Sequence, residues 1–167
     1  MNTKRIFYFV EGQCEEKLIG ALKKEPGLIR SGKCKVFNPI GQKLSPNDFI
    51  TIPNSSVIVF VFDTDVIHIG ALEYNLKMIR RYARGCEIIL IPQVKTIEDE
   101  LLRATVVKRI EELTKSKSLS NFKSDFCALK NCRSILEKYQ LDIQKLWSED
   151  PKGIFEKYPR ESRKVKL

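Results

Sequence analysis

Two unbroken apolar runs, Ile6–Val10 and Val57–Phe62, set the frame of the chain. They do not alternate with polar residues, so each suits a strand buried on both faces of a parallel sheet. Elsewhere the spacing is helical. Leu18, Ile19 and Leu22 share one face over Glu15–Lys24, which Pro26-Gly27 ends. Leu72, Leu76, Ile79 and Ala83 do the same over 71–84, where Arg80, Arg81 and Arg84 complement the helix dipole and Gly85 closes the helix. Lys33–Asn38 reads as a second strand. Pro39, Gly41, Pro46 and Pro53-Asn54-Ser55-Ser56 punctuate a long connection, with a helical turn near Asn47–Ile50. Glu87–Ile91 is the fourth strand, with Pro92 as its breaker. This βαβ rhythm predicts an α/β fold, Rossmann-like, with a four-stranded, mainly parallel sheet between helices.

Beyond the sheet the pattern is helical. Thr96-Ile97-Glu98-Asp99 has the form of a helix cap, followed by Leu102, Val106, Ile110 and Leu113 as an apolar stripe. Ser116–Asn121 reads as a polar linker. Ser124 is placed to cap a helix running to Tyr139, its inner face Ala128, Cys132, Ile135 and Leu136. Leu141–Trp147 suggests a further short helix. Pro151–Leu167, with six basic and two acidic side chains, reads as a loose tail. These elements divide into a core over 1–103 and a basic helical extension over 104–167 packed on it, one domain overall.

Charge sharpens the picture. The net charge is +9, and it is uneven: residues 1–102 carry 14 Lys/Arg against 12 Asp/Glu, whereas residues 103–167 carry 16 against 9. An acidic front and a basic back suit a polyanion held over a metal; the alternative is a solvated basic surface that serves solubility. Five cysteines without Cys-x-x-Cys spacing and a single histidine, His68, argue against zinc and for reduced thiols. Met1–Arg5 leads into too few apolar residues for a signal peptide, and no apolar run is long enough for a membrane span. A cytoplasmic protein is expected.

Both long apolar runs end in acids. Ile6–Val10 leads into Glu11-Gly12-Gln13-Cys14-Glu15-Glu16, and Val57–Phe62 into Asp63-Thr64-Asp65. Chemistry on parallel sheets gathers beyond the carboxyl ends of the strands. Strands in one parallel sheet therefore bring Glu11, Asp63 and Asp65 to one edge. Crowded carboxylates need a shared proton or a cation, and hard oxygen donors suit Mg²⁺ or Mn²⁺.

Val10-Glu11-Gly12 with Glu15, followed by an apolar strand ending Asp63-Thr64-Asp65, resembles the Toprim domain of topoisomerases, bacterial primases and overcoming-lysogenization-defect nucleases. The resemblance covers about residues 4–103. It implies a divalent-metal-dependent nuclease cleaving phosphodiester bonds of DNA or RNA, at work in phage defence, with an ATPase or other defence partner. On this resemblance Glu11, Glu15, Asp63 and Asp65 are catalytic, and Glu11, Asp63 and Asp65 hold the metal. Glu98 and Glu100, in the acidic stretch Glu98-Asp99-Glu100, are candidates for a second ion, or simply an acidic first helical turn. Lys123 is a candidate to steady the phosphate, and Lys123, Lys130 and Arg133 to bind nucleic acid. Val66-Ile67-His68-Ile69 stands before Gly70 where many members have an earlier glycine, which departs from the topoisomerase and primase types.

Two other readings stand beside it. A Toprim-like fold can serve as a non-catalytic module that binds nucleic acid or a partner. The Asp-x-Asp also resembles haloacid-dehalogenase phosphatases, although those place it on the first strand and put Thr or Val where this chain has Ile67.

Overall fold

The computed structural model describes residues 4–158 and 160–167; Met1–Thr3 of the amino-terminal segment and Pro159 of the tail lie outside them. Four strands, β1 (Ile6–Val10), β2 (Lys33–Val36), β3 (Val57–Asp63) and β4 (Glu87–Gln93), form one sheet in the order β2-β1-β3-β4. Every pairing is parallel. The fold is α/β and Rossmann-like, with helices on both faces.

Alternation along the strands sorts the two cores. Tyr8, Val10, Val59, Val61, Ile89 and Ile91 pack with α1 (Gln13–Lys23), α3 (Ile97–Ala104), α5 (Leu119–Ala128) and α6 (Cys132–Lys138). Phe7, Phe9, Ile58, Phe60 and Phe62 face the other way, onto α2 (Gly70–Tyr82) and the 37–52 connection. Asn75 of α2, fully buried, ties that connection down: its Oδ1 accepts from the Leu44 N–H and its Nδ2 donates to the carbonyls of Pro39 and Gln42. Central strands buried on both faces explain the unbroken apolar runs.

Several expectations from sequence need correction. Pro92 does not break β4; it pairs in register with Phe62, and the strand runs on to Gln93. An edge strand tolerates proline because its outer side has no ladder partner to lose. The helix from Thr96 stops at Ala104, where Thr105 turns extended and its hydroxyl donates to the Leu101 carbonyl. Ile97 faces inward at its start, so Leu101 and Ala104 follow into the core, while Leu102 is half-buried and Val106 is 58% exposed. A further turn of helix, α4 (Glu111–Thr114), follows.

The expected linker 116–121 and the single helix 124–139 are instead α5 and α6. Ser124 lies inside α5 with its hydroxyl donating back to the Asn121 carbonyl, while Phe122 and Phe126 anchor the helix in the core. Leu129 is extended and separates the two helices. Residues 141–147 form turns in place of a helix, and Trp147 ends them in the left-handed region at φ 53°.

The tail is not loose. Phe155 and Val165 are buried, the Arg30 N–H donates to the Val165 carbonyl, and the Leu167 N–H donates to the Leu28 carbonyl. Glu161 covers the free edge of β4, accepting from the Leu90 N–H through Oε2 at 3.1 Å and donating its own N–H to the Leu90 carbonyl at 2.9 Å. Covering an edge in this way hides its unpaired backbone groups. No helix among the described residues is long and apolar enough to cross a membrane.

Gly32 sits against β1 with no room to spare. A Cβ there would lie 2.6 Å from the Ile6 carbonyl oxygen and 2.8 Å from the Ile6 Cβ. Gly32→Ala should therefore push β1 and β2 apart and cost about 1–3 kcal/mol, the usual range for overpacking, measured as a lower urea midpoint with unchanged slope.

Candidate functional site

Strand register builds the site. Asp63 is the last residue of β3 and Gln93 the last of β4, and the two are register partners. Val61 and Ile91, two residues earlier, face α1 and α5, so Asp63 and Gln93 face the same way. Glu11 follows β1 directly, beside the end of β3. Glu15 comes from the first turn of α1, which Gly12 opens. Glu11, Glu15 and Asp63 line a cleft of about 330 Å³ with Gly12, Gln13, Cys14, Lys123, Ser124 and Cys127.

The contacts are specific. Glu11 Oε2 accepts from the backbone N–H of Asp63 at 3.0 Å. Gln93 Nε2 donates to Asp63 Oδ1 at 2.5 Å and to Glu15 Oε1 at 3.3 Å. The other end of the same amide, Oε1, accepts from Trp147 Nε1 at 3.2 Å, which fixes which way the amide points. Gln93 and Trp147 are fully buried, Glu15 and Asp63 nearly so.

This environment works against ionisation. Burial, then the charges of Glu15, Glu11 and Asp65, push the Asp63 carboxyl up to about 8, against the lowering effect of the Gln93 hydrogen bond. Burial also raises the Glu15 carboxyl. Lys123 faces the acids from α5, its Nζ 3.5 Å from Glu98 Oε1. Burial alone would lower its pKa, but Glu98, Asp63 and Glu15 outweigh this and hold the ammonium above its ordinary value.

The other expected residues divide. Asp65 lies past the strand end and is exposed; its charge reaches Asp63 as the smallest of the contributions. Glu98 stands behind Lys123, one oxygen toward the ammonium and the other, Oε2, buried without a partner. Glu100 is not in the cleft. It is fully buried, with Oε1 accepting from the Val94 N–H and paired to Arg103, and Oε2 accepting from the Trp147 N–H. Both of its oxygens serve the fold. Lys130 and Arg133 lie outside the cleft, along a groove beside α1.

The donors in the cleft are carboxylate oxygens, the kind Mg²⁺ and Mn²⁺ take. Among the described residues, however, no three His, Cys, Asp or Glu side chains are arranged to hold a metal ion. The Gln93 amide meets Glu15 and Asp63 instead. The donor chemistry fits a hard cation, and the amide is the group it would have to compete with.

Gln93 is the residue that sequence reasoning missed. A glutamine after a proline at the end of an apolar strand carries no motif, and only the continuation of β4 through Pro92 places it opposite Asp63.

Two outcomes follow for the cation-free protein. A carboxyl near 8 in the folded state and near about 4 when unfolded binds more protons folded, so stability should fall as pH rises from about 4 to 8 and level off above. Asp63→Asn keeps an acceptor for Gln93, and thermal melts in EDTA should show this variant with a flatter pH profile and a higher Tm at pH 8. Gln93→Leu leaves the Trp147 indole N–H without an acceptor and takes the amide donor away from Asp63 and Glu15. It should cost about 1–3 kcal/mol per stranded group, read from chemical denaturation.

Comparison with protein-family models, curated proteins and solved structures finds no match to this chain. What the cleft can do is set by its own geometry.

Proposed function

We propose that this chain is a Toprim-like, divalent-cation-dependent phosphodiesterase acting on DNA or RNA. The observation that carries this reading is the convergence of Glu11, Glu15 and Asp63, from three different elements, in one cleft at the carboxyl edge of a parallel sheet with Lys123 across from them. Packing like charges in a dry place works against stability unless the site has a cation or proton to hold.

On this reading Glu11, Asp63 and the exposed Asp65 would be the residues to hold Mg²⁺ or Mn²⁺, and they would have to rearrange around it, since they are not arranged to hold an ion as they stand. Such a cation, when bound, neutralises phosphate charge and lowers the pKa of a water. The chain supplies the rest. Lys123 offers a charged donor to a phosphate oxygen at the rim. Glu15, kept protonated more readily than an exposed glutamate, is a proton store next to Asp63. Gln93 and Trp147 keep both acids oriented. The expectation of an ATPase partner and of phage defence rests on the Toprim resemblance alone.

A second reading is favoured by one observation. Gln93 donates to both Glu15 and Asp63, so the chain's own groups serve the two acids, as a non-catalytic nucleic-acid-binding module of the same fold would require.

One assay separates the two. Purified protein with labelled single- and double-stranded DNA and RNA should cut in Mg²⁺ or Mn²⁺ and not in EDTA. Glu11→Gln and Asp63→Asn, which keep the acceptors used by the Asp63 N–H and by Gln93, should lower the rate at least about 100-fold with no loss of Tm. Full cutting by both variants would remove the acids from the mechanism. Binding without cutting under every condition would favour the module.

A further inference from the structure

A second hollow, of about 460 Å³, runs along the outer side of α1. One wall is α1; the other is the end of α5, the turn at Leu129 and Lys130, and the start of α6. Gln13 and Cys127 line both this groove and the acidic cleft, so one leads into the other. The charge changes sign between them. Among the described residues Lys123 is the lone cation lining the cleft with the acids, whereas the groove is lined by Lys17, Lys24, Lys130 and Arg133 against Glu16.

The cations are of two kinds. Lys17 and Arg133 are built in: Lys17 Nζ donates to the Leu129 carbonyl at 2.8 Å, and Arg133 donates through Nη2 to the Pro26 carbonyl at 3.1 Å and through Nε to Glu137 at 2.6 Å. The third guanidinium nitrogen of Arg133, Nη1, is buried and has no partner. Lys24 and Lys130 are exposed at the rim. Gly20, also lining the groove, leaves it open; a Cβ there would meet nothing within 4 Å. Among the described residues no aromatic side chain lines the groove, so none of them stacks a base there.

We propose that this groove carries the sugar-phosphate backbone of one nucleic-acid strand away from the acidic cleft, with phosphates over Lys24, Lys130 and Arg133. The proposal rests on the phosphodiester reading for the identity of the polyanion. It adds the path, and it adds that binding is indifferent to base sequence, because phosphate contacts position a strand without reading it.

The test is binding in EDTA, where nothing is cut, by fluorescence anisotropy of labelled single-stranded and duplex oligonucleotides over a salt series. Lys24→Ala/Lys130→Ala should weaken binding about tenfold or more at low salt and reduce the log–log salt slope by about one per lysine, equally for unrelated sequences. Gly20→Glu sets a carboxylate in the groove at a position where a Cβ meets nothing within 4 Å. It should weaken binding comparably while the Tm holds or rises, since glycine inside a helix is itself unfavourable. No measurable binding by the wild-type protein, or unchanged affinity and slope in both variants, would overturn the proposal. Groove-dependent binding by a protein that never cuts in Mg²⁺ or Mn²⁺ would sink the phosphodiesterase reading and still support the groove.

Discussion

At the carboxyl edge of the sheet, Glu15 and Asp63 are taken almost wholly out of water, next to Glu11. Burial and like charge both disfavour the ionised forms, and what opposes them is a small set of donors. The Gln93 amide serves two of the acids, the Asp63 N–H serves the third, and Lys123 stands across the cleft. Much of the molecule is organised to keep those donors in place. β4 has to run through Pro92 to deliver Gln93. Trp147 has to stand behind Gln93 to orient its amide, and Glu100 and Ser162 hold the Trp147 backbone on either side of the peptide.

The elements legible in the sequence were those governed by local apolar pattern. β1 and β3, the two helices that follow them, and the meeting of Glu11 with Asp63 at one edge could be read from unbroken runs and helical spacing. What could not be read depends on partners distant in the chain. Pro92 looks like a breaker until β4 is known to be an edge. The phase of α3 turns on whether Ile97 or Leu102 faces inward, which the packing against the sheet decides. The tail reads as solvated because it is basic, yet Phe155, Ser162 and Val165 are buried. Glu100 has the appearance of a free acid in an acidic helix start and is instead enclosed by Val94, Arg103 and Trp147.

Counting charges also overstates what the basic half offers a polyanion. Lys157 pairs with Glu73, Arg160 with Asp150, and Lys164 with Glu87 and Glu161. Such exposed pairs contribute little to stability, but they mute the local field. Position therefore matters more than number. Lys24 belongs to the nearly neutral front part of the chain, yet it lies on the same groove as Lys130 and Arg133.

The bond from Trp147 to Gln93 spans 54 residues of chain. During synthesis the acids and the sheet edge emerge first, and the indole that orients the amide emerges much later. Until then the indole cannot orient the Gln93 amide toward Glu15 and Asp63. A chain that has not yet reached Trp147 would thus display the acidic motif without the oriented amide. The site comes into being only as the last part of the fold closes over it, a form of delay written into the order of the residues.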